Sequence, residues 1–150
     1  MAAVVTALVV TTSVLTHIRD DAGRRYPAEA VGLLAAPRDR ADHGPGTVTI
    51  SRAEALPNRA HRPRTGVYVD PAELARCVAD LTAAGFVPVG AYHSHPDAGA
   101  RPSDVDRRAV RVPGVEIIVA VGPLGAGTVK GWWLRPGRAP VEMPLRTAAP

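Results

Sequence analysis

The spacing of hydrophobic and polar positions changes several times along the chain, and each change marks a predicted element. The opening run, ending in Leu8-Val9-Val10, is apolar and reads as a first strand. Thr11-Thr12-Ser13 then offers a cap, and Val14, Leu15, Ile18 and Ala22 recur at helical spacing with Arg19, Asp20 and Asp21 between them. This is the pattern of a short amphipathic helix, which Gly23 and Pro27 end or distort. Ala28 to Ala36 is almost wholly apolar and predicts a strand through the core, with Glu29 at its entrance. After a polar turn region from Arg38 to Gly46, the alternation from Val48 to Leu56 predicts another strand. A basic loop, Pro57 to Arg64, and a short strand, Thr65 to Val69, follow.

Asp70-Pro71-Ala72-Glu73 combines an acid cap, proline at the first helical position and a glutamate three residues after the cap. The helix it opens is expected to run to Gly85 and to bury Leu74, Cys77, Val78 and Leu81, which places Cys77 in the core. Phe86 to His95 reads as the central strand, and a helix capped by Ser103 continues through Val105, Ala109 and Val110 toward Pro113. Val115 to Val121 is dense in β-branched residues, as suits a strand buried on both faces. The glycine-rich turn 122–127 leads into Thr128 to Leu134 as a hairpin, with Trp132 and Trp133 on opposite faces, one in the core and one covering a surface. Arg138 to Leu145 adds an edge strand before a frayed tail. The order of elements predicts one α/β domain over residues 1–150: a mixed, largely antiparallel sheet flanked by helices.

Composition refines this picture in three respects. With 46% hydrophobic but only 4% aromatic residues, and 14 Gly and 15 Pro, the interior is expected to be filled by Ala and Val between tight turns. The net charge of +4 invites a nucleic-acid reading, but the basic residues are scattered from Arg19 to Arg146 and no stretch interleaves them with aromatic side chains as a base-stacking surface needs. Nucleic acid is therefore not expected as a partner. The single cysteine, Cys77, excludes an intrachain disulfide and fits a reducing compartment. The opening run lacks a basic leader and is far shorter than the ~20 residues of a membrane span, so a cytoplasmic protein with no membrane contact is expected.

The candidate chemistry lies in Val89-Gly90-Ala91-Tyr92-His93-Ser94-His95-Pro96. Side chains alternate along a strand, so His93 and His95 leave the same face and can hold one ion together. Asp106 falls in the first turn of the helix capped by Ser103, where a carboxylate can fold back to the strand end. Two nitrogens and one oxygen make the donor set of a catalytic zinc site with a position left open. A carboxylate is still needed to move protons, and Glu29, alone in an apolar strand, is the candidate.

These residues together resemble the JAMM (MPN+) metalloprotease family. The segment His93-Ser94-His95-Pro96, followed by Ser103 and Asp106, reproduces its motif spacing, and Glu29-Ala30-Val31-Gly32-Leu33-Leu34 is similar to its glutamate-bearing strand, with Val31 where cysteine is frequent. Asn58, Tyr68-Val69-Asp70-Pro71 and the Gly90-x-Tyr92 approach extend the likeness, which covers about residues 5–135. The resemblance implies a cytidine-deaminase-like MPN fold, zinc on His93, His95 and Asp106, Glu29 as general acid/base, and Ser103 stabilising an oxyanion. The implied reaction is hydrolysis of a peptide or isopeptide bond. Only 44 residues follow Asp106, too few for the insertions with which larger family members grip ubiquitin chains, and the Arg- and Pro-rich composition suits a high-GC bacterium.

The expected substrate is therefore the C-terminus of a ubiquitin-like sulfur-carrier protein, from which a tail or an attached amino acid such as cysteine is removed. Arg59, Arg62 and Arg64 could steer an acidic carrier. Two alternatives stay open on the sequence: a non-catalytic binding module, and an amidase or peptidase acting on a small metabolite. A homodimer is also open, through whichever of Trp132 and Trp133 is exposed.

Overall fold

A computed structural model describes residues 4–40 and 46–149. The first three residues of the opening run, residues 41–45 of the polar turn region and Pro150 of the expected tail lie outside the described residues. The chain alternates β1 (Ala7–Thr11), α1 (Thr12–Arg25), β2 (Val31–Pro37), β3 (Thr47–Ile50), β4 (Arg52–Leu56), α2 (Pro71–Ala83), β5 (Phe86–Pro96), α3 (Asp104–Ala109), β6 (Gly114–Gly122), β7 (Gly125–Leu134), β8 (Val141–Met143) and β9 (Leu145–Ala148).

Six strands form the main sheet in the order β4-β2-β5-β6-β7-β8. All its neighbours are antiparallel except β5 and β6, which run parallel and are joined by the crossover that carries α3. A second sheet, β3-β1-β9, has only parallel pairs. The expected mixed, largely antiparallel sheet flanked by helices is thus what the chain forms.

The two faces of β5 and β6 have different neighbours, and this separates the core from the site. Tyr92 on β5 and Val115, Ile117, Val119 and Val121 on β6 join Val14, Ile18 and Ala22 of α1 in the main core. The opposite face carries Ile118, packed with Ala100, Trp132 and Leu134 under the crossover. His93 and His95 share that second face by strand alternation. Gly90 lets the sheet close at this point, since a Cβ there would lie 2.2 Å from the Val115 carbonyl oxygen.

Several expectations are corrected. Of the two residues expected to end α1, Gly23 does not, and the helix runs on to Arg25, stopping at Tyr26 just before Pro27 and braced by the Arg25–Asp21 pair at 3.0 Å. The strand expected over Ala28–Ala36 begins at Val31, leaving Glu29 in the segment before it. Val48–Leu56 is two strands, because the chain crosses at Ser51 from the edge of one sheet to the edge of the other. Local alternation is the same in both halves and cannot show that their partners differ. Thr65–Val69 is not a strand; its backbone is held by Asn58 instead.

In α2 only Leu81 is buried, and Cys77 is half-buried beside Glu54 and Asp80 at the edge of the helix. Burial pushes its thiol pKa up and the two carboxylates add to the shift, the reverse of what a nucleophile requires. The helix opened by Ser103 stops at Ala109, where Val110 turns extended and packs against the Ile118 cluster. Neither tryptophan is exposed: Trp132 is buried and donates from Nε1 to the Ala100 carbonyl, and Trp133 is half-buried against the main core. The dimer contact expected of an exposed tryptophan therefore loses its basis. The C-terminal segment is not frayed through residue 148, because β9 pairs with the open edge of β1.

Candidate metal centre

Three side chains from two elements meet on the second face of the main sheet. His93 and His95 project together from β5, and Asp106 comes from the first turn of α3. Their nearest atoms, His93 Nε2, His95 Nε2 and Asp106 Oδ2, are separated by 2.9 Å between the nitrogens and by 3.3 and 3.1 Å from each nitrogen to the oxygen. Ligand atoms about 2.0–2.1 Å from a tetrahedral zinc ion stand about 3.3 Å apart, so the donor set fits that ion with slight compression. Among the described residues this is the one cluster of His, Cys, Asp or Glu side chains that converges in this way.

Each ligand is held from behind. His93 Nδ1 lies 2.6 Å from Glu116 Oε1, His95 Nδ1 lies 2.9 Å from the Gly99 carbonyl oxygen, and the Ser103 amide donates to Asp106 Oδ2 at 2.8 Å. Ser103 Oγ accepts the Asp106 amide at 3.1 Å, which closes a capping box and fixes the start of α3. Burial works against a charge on His93, but hydrogen bonds to Asp106 and Glu116 outweigh it and hold the pKa at about 10. Burial likewise opposes the Asp106 carboxylate, yet both histidines and the Ser103 amide hold its pKa far below the ordinary range. A site that so favours positive charge at one point suits a bound cation.

Glu29 belongs to the same groove as His93, Ser103 and Asp106. Its segment is fixed by backbone bonds. The Glu29 amide donates to the Pro63 carbonyl at 2.7 Å, Asn58 Nδ2 donates to the Glu29 carbonyl at 3.0 Å, and the next residue, Ala30, bonds to Ser94. Burial raises the Glu29 pKa, partly offset by charge on His93 and His95 and reinforced by Asp106.

The groove itself is a cavity of about 630 Å³, walled largely by apolar side chains from β2, β5, β6 and α3. Val67, Val105 and Val112 line it while remaining 39%, 59% and 72% exposed, which gives the opening an apolar rim.

All five residues singled out in the sequence, Glu29, His93, His95, Ser103 and Asp106, are brought together here. Three supporting residues escaped the sequence reading. Glu116 lies in a run whose β-branched density suggests only a strand buried on both faces, although a lone acid in such a run is itself a signal. Ser94 sits inside the motif but faces away from His93 and His95, toward Ala30. The Gly99 carbonyl is a backbone group in a loop, and no residue type announces it.

The family model for prokaryotic homologs of the JAB domain matches residues 11–135. A desampylase from Haloferax volcanii is 33% identical over 120 residues, covering 80% of this chain and 81% of the relative. A protein from Thermus thermophilus named "Probable TtuB-protein conjugate cleaving protease" is 33% identical over 108 residues, covering 71% and 66%. Among solved structures, a protein from Desulfitobacterium hafniense superposes with a TM-score of 0.80 at 26% identity, over 95% of this chain and 94% of that one. The match to the family model, the two relatives and the shared fold agree with the motif, and the chain belongs to the prokaryotic branch of the JAMM/MPN family.

Proposed function

We propose that this JAMM-type isopeptidase uses zinc to cleave the bond at the C-terminus of a ubiquitin-like sulfur-carrier protein, removing a tail or an attached group. The observation that carries the reading is the convergence of His93, His95 and Asp106 within one groove that also holds Glu29. Zinc held by those three ligands would polarise a scissile carbonyl and lower the pKa of water to ~7.

The protein's own groups supply the rest. Glu29 takes the proton of the attacking water and hands it to the leaving nitrogen, a task suited to a carboxylate whose pKa burial has raised. Ser103 Oγ is engaged as an acceptor by the Asp106 amide, so its own hydrogen remains free to point into the groove toward a developing oxyanion. The apolar walls exclude water and suit an extended tail of small residues.

Two relatives named for cleaving such conjugates support the substrate class. Of the three arginines expected to steer an acidic carrier, Arg59 is tied to Glu73 at 2.6 Å. Arg62 and Arg64 are exposed on the loop that supplies Thr65 and Val67 to the groove wall. The steering role is therefore assigned to Arg62 and Arg64.

The test is Glu29→Gln, assayed on a carrier fusion. The variant is expected to bind zinc as the wild type does and to lose about 10²–10⁴-fold in turnover, the range general acid/base groups contribute. Wild-type hydrolysis by this variant would remove Glu29, and with it the mechanism.

A further inference from the structure

We propose that Glu116 is a positioning residue of the metal centre, one that fixes the tautomer and basicity of His93. The inference rests on the reading that His93, His95 and Asp106 hold zinc. Glu116 is the single acid in the β6 run from Val115 to Val121, and its side chain is 19% exposed. Holding a carboxylate there costs desolvation, which a charged partner would ordinarily offset. Among the described residues its one ion-pair partner is His93, whose Nδ1 lies 2.6 Å away. The sheet makes this contact possible. Glu116 stands opposite Ala91 on β5, and that small side chain leaves the carboxylate free to lean along the sheet toward His93.

With Nδ1–H donated to Glu116, the Nε2 lone pair of His93 is directed at the point it shares with His95 and Asp106. The two histidines are braced differently. His95 is oriented by a neutral backbone carbonyl, that of Gly99, whereas His93 is oriented by a full charge. The carboxylate strengthens His93 as a donor, and with Asp106 it supplies two negative charges to balance a dication. A residue whose only role was to pack β6 would influence neither property.

The experiment compares zinc-loaded wild type with Glu116→Ala and the near-isosteric Glu116→Gln. Zinc affinity is measured by competition with a chromogenic chelator, and the His93 Nδ1 proton is followed by long-range proton–nitrogen NMR. Glu116→Ala is expected to bind zinc about 10–100-fold more weakly and to lose the slowly exchanging Nδ1 proton. Glu116→Gln, whose amide oxygen still accepts, is expected to keep that proton at a smaller downfield shift and to lose less affinity. Zinc affinity unchanged in both variants, or an unchanged Nδ1 signal in Glu116→Ala, would overturn the proposal. If melting of the metal-free proteins shows Glu116→Ala to be unfolded, Glu116→Gln decides by the same two measurements. Wild-type protein that takes up no zinc would instead overturn the metal-centre reading itself, before any variant is compared.

Discussion

Ala30 and Ser94 hold each other by a reciprocal pair of hydrogen bonds: the Ala30 amide donates to Ser94 Oγ at 2.7 Å, and the Ser94 amide donates to the Ala30 carbonyl at 3.0 Å. Ser94 lies between the two histidines and Ala30 follows Glu29. The pair therefore ties the segment bearing the proposed base to the strand bearing two of the proposed metal ligands. Both residues are fully buried, so the register between the Glu29 segment and the His93–His95 strand is set where water cannot compete.

Ser94→Ala should accordingly separate positioning from binding. It leaves the buried Ala30 amide without its acceptor, at a cost of about 1–3 kcal/mol in stability. The ligands themselves are untouched, so zinc affinity should hold while turnover falls. Urea unfolding and a zinc titration, run beside the hydrolysis assay, check this. A drop in zinc affinity equal to the drop in turnover would contradict it.

Asn58 does for the loop what Ser94 does for the strand. Its Nδ2 donates to the carbonyls of Glu29 and Gly66, and its Oδ1 accepts from the amides of Ala60 and Tyr68. Asn58→Asp keeps the two acceptor contacts but sets a charged oxygen against two carbonyl oxygens in place of the donor. We expect a stability loss of about 1–3 kcal/mol and a higher KM, because Thr65, Gly66 and Val67 form one wall of the groove. Thermal melting and steady-state kinetics report the two effects.

How much of this was legible beforehand follows from the range of each interaction. Caps at Thr11, Asp70 and Ser103 act within three residues, and all three stand where the sequence puts them. The His93–His95 pair and Asp106 are also close in sequence, so period and spacing suffice to bring them together. What was misread depends on distant partners. Ser51 marks a change of sheet, β9 is ordered by β1, and Trp133 finds the main core. Glu29 was singled out as an acid out of place, but that its segment is anchored through Ser94 and Asn58 depends on contacts 64 and 29 residues apart.

A second buried network supports the strand from its other face. Tyr92 is fully buried, and its hydroxyl donates to Asp21 Oδ2 at 2.7 Å, while Arg25 holds Oδ1 of the same carboxylate at 3.0 Å. Burial, reinforced by Asp21, pushes the phenol pKa well above its usual value, so the hydroxyl remains a donor. Tyr92→Phe removes one partner of a buried charge and should cost about 1.5–3 kcal/mol, the range for hydrogen bonds to charged groups. Urea midpoints measure it. A variant as stable as wild type would mean that Arg25, with Arg24 at 3.7 Å, satisfies Asp21 without the hydroxyl.

The pH dependence should carry the signature of Glu29. Its carboxyl is raised above the ordinary 4.5 by burial, and only its anion can accept a proton. Activity should therefore fall as pH drops through a midpoint above 4.5. Because loss of metal would also lower activity in acid, bound zinc is measured at each pH, and the residual rate of Glu29→Gln should lack this limb. Stability moves in the opposite sense. A carboxyl whose folded pKa lies above its unfolded value contributes most below the unfolded pKa, and that contribution is lost as pH rises through the folded one. At neutral pH, ionised Glu29 thus weakens the metal-free fold, and Glu29→Gln should melt higher than wild type, with the gap closing toward acid. The charge that would make the residue a base is then the same charge the fold is strained to keep, a trade expected where a buried group is held for chemistry. Equal melting temperatures at neutral pH, together with an acid limb at or below 4.5, would show Glu29 to be an ordinary solvated carboxylate.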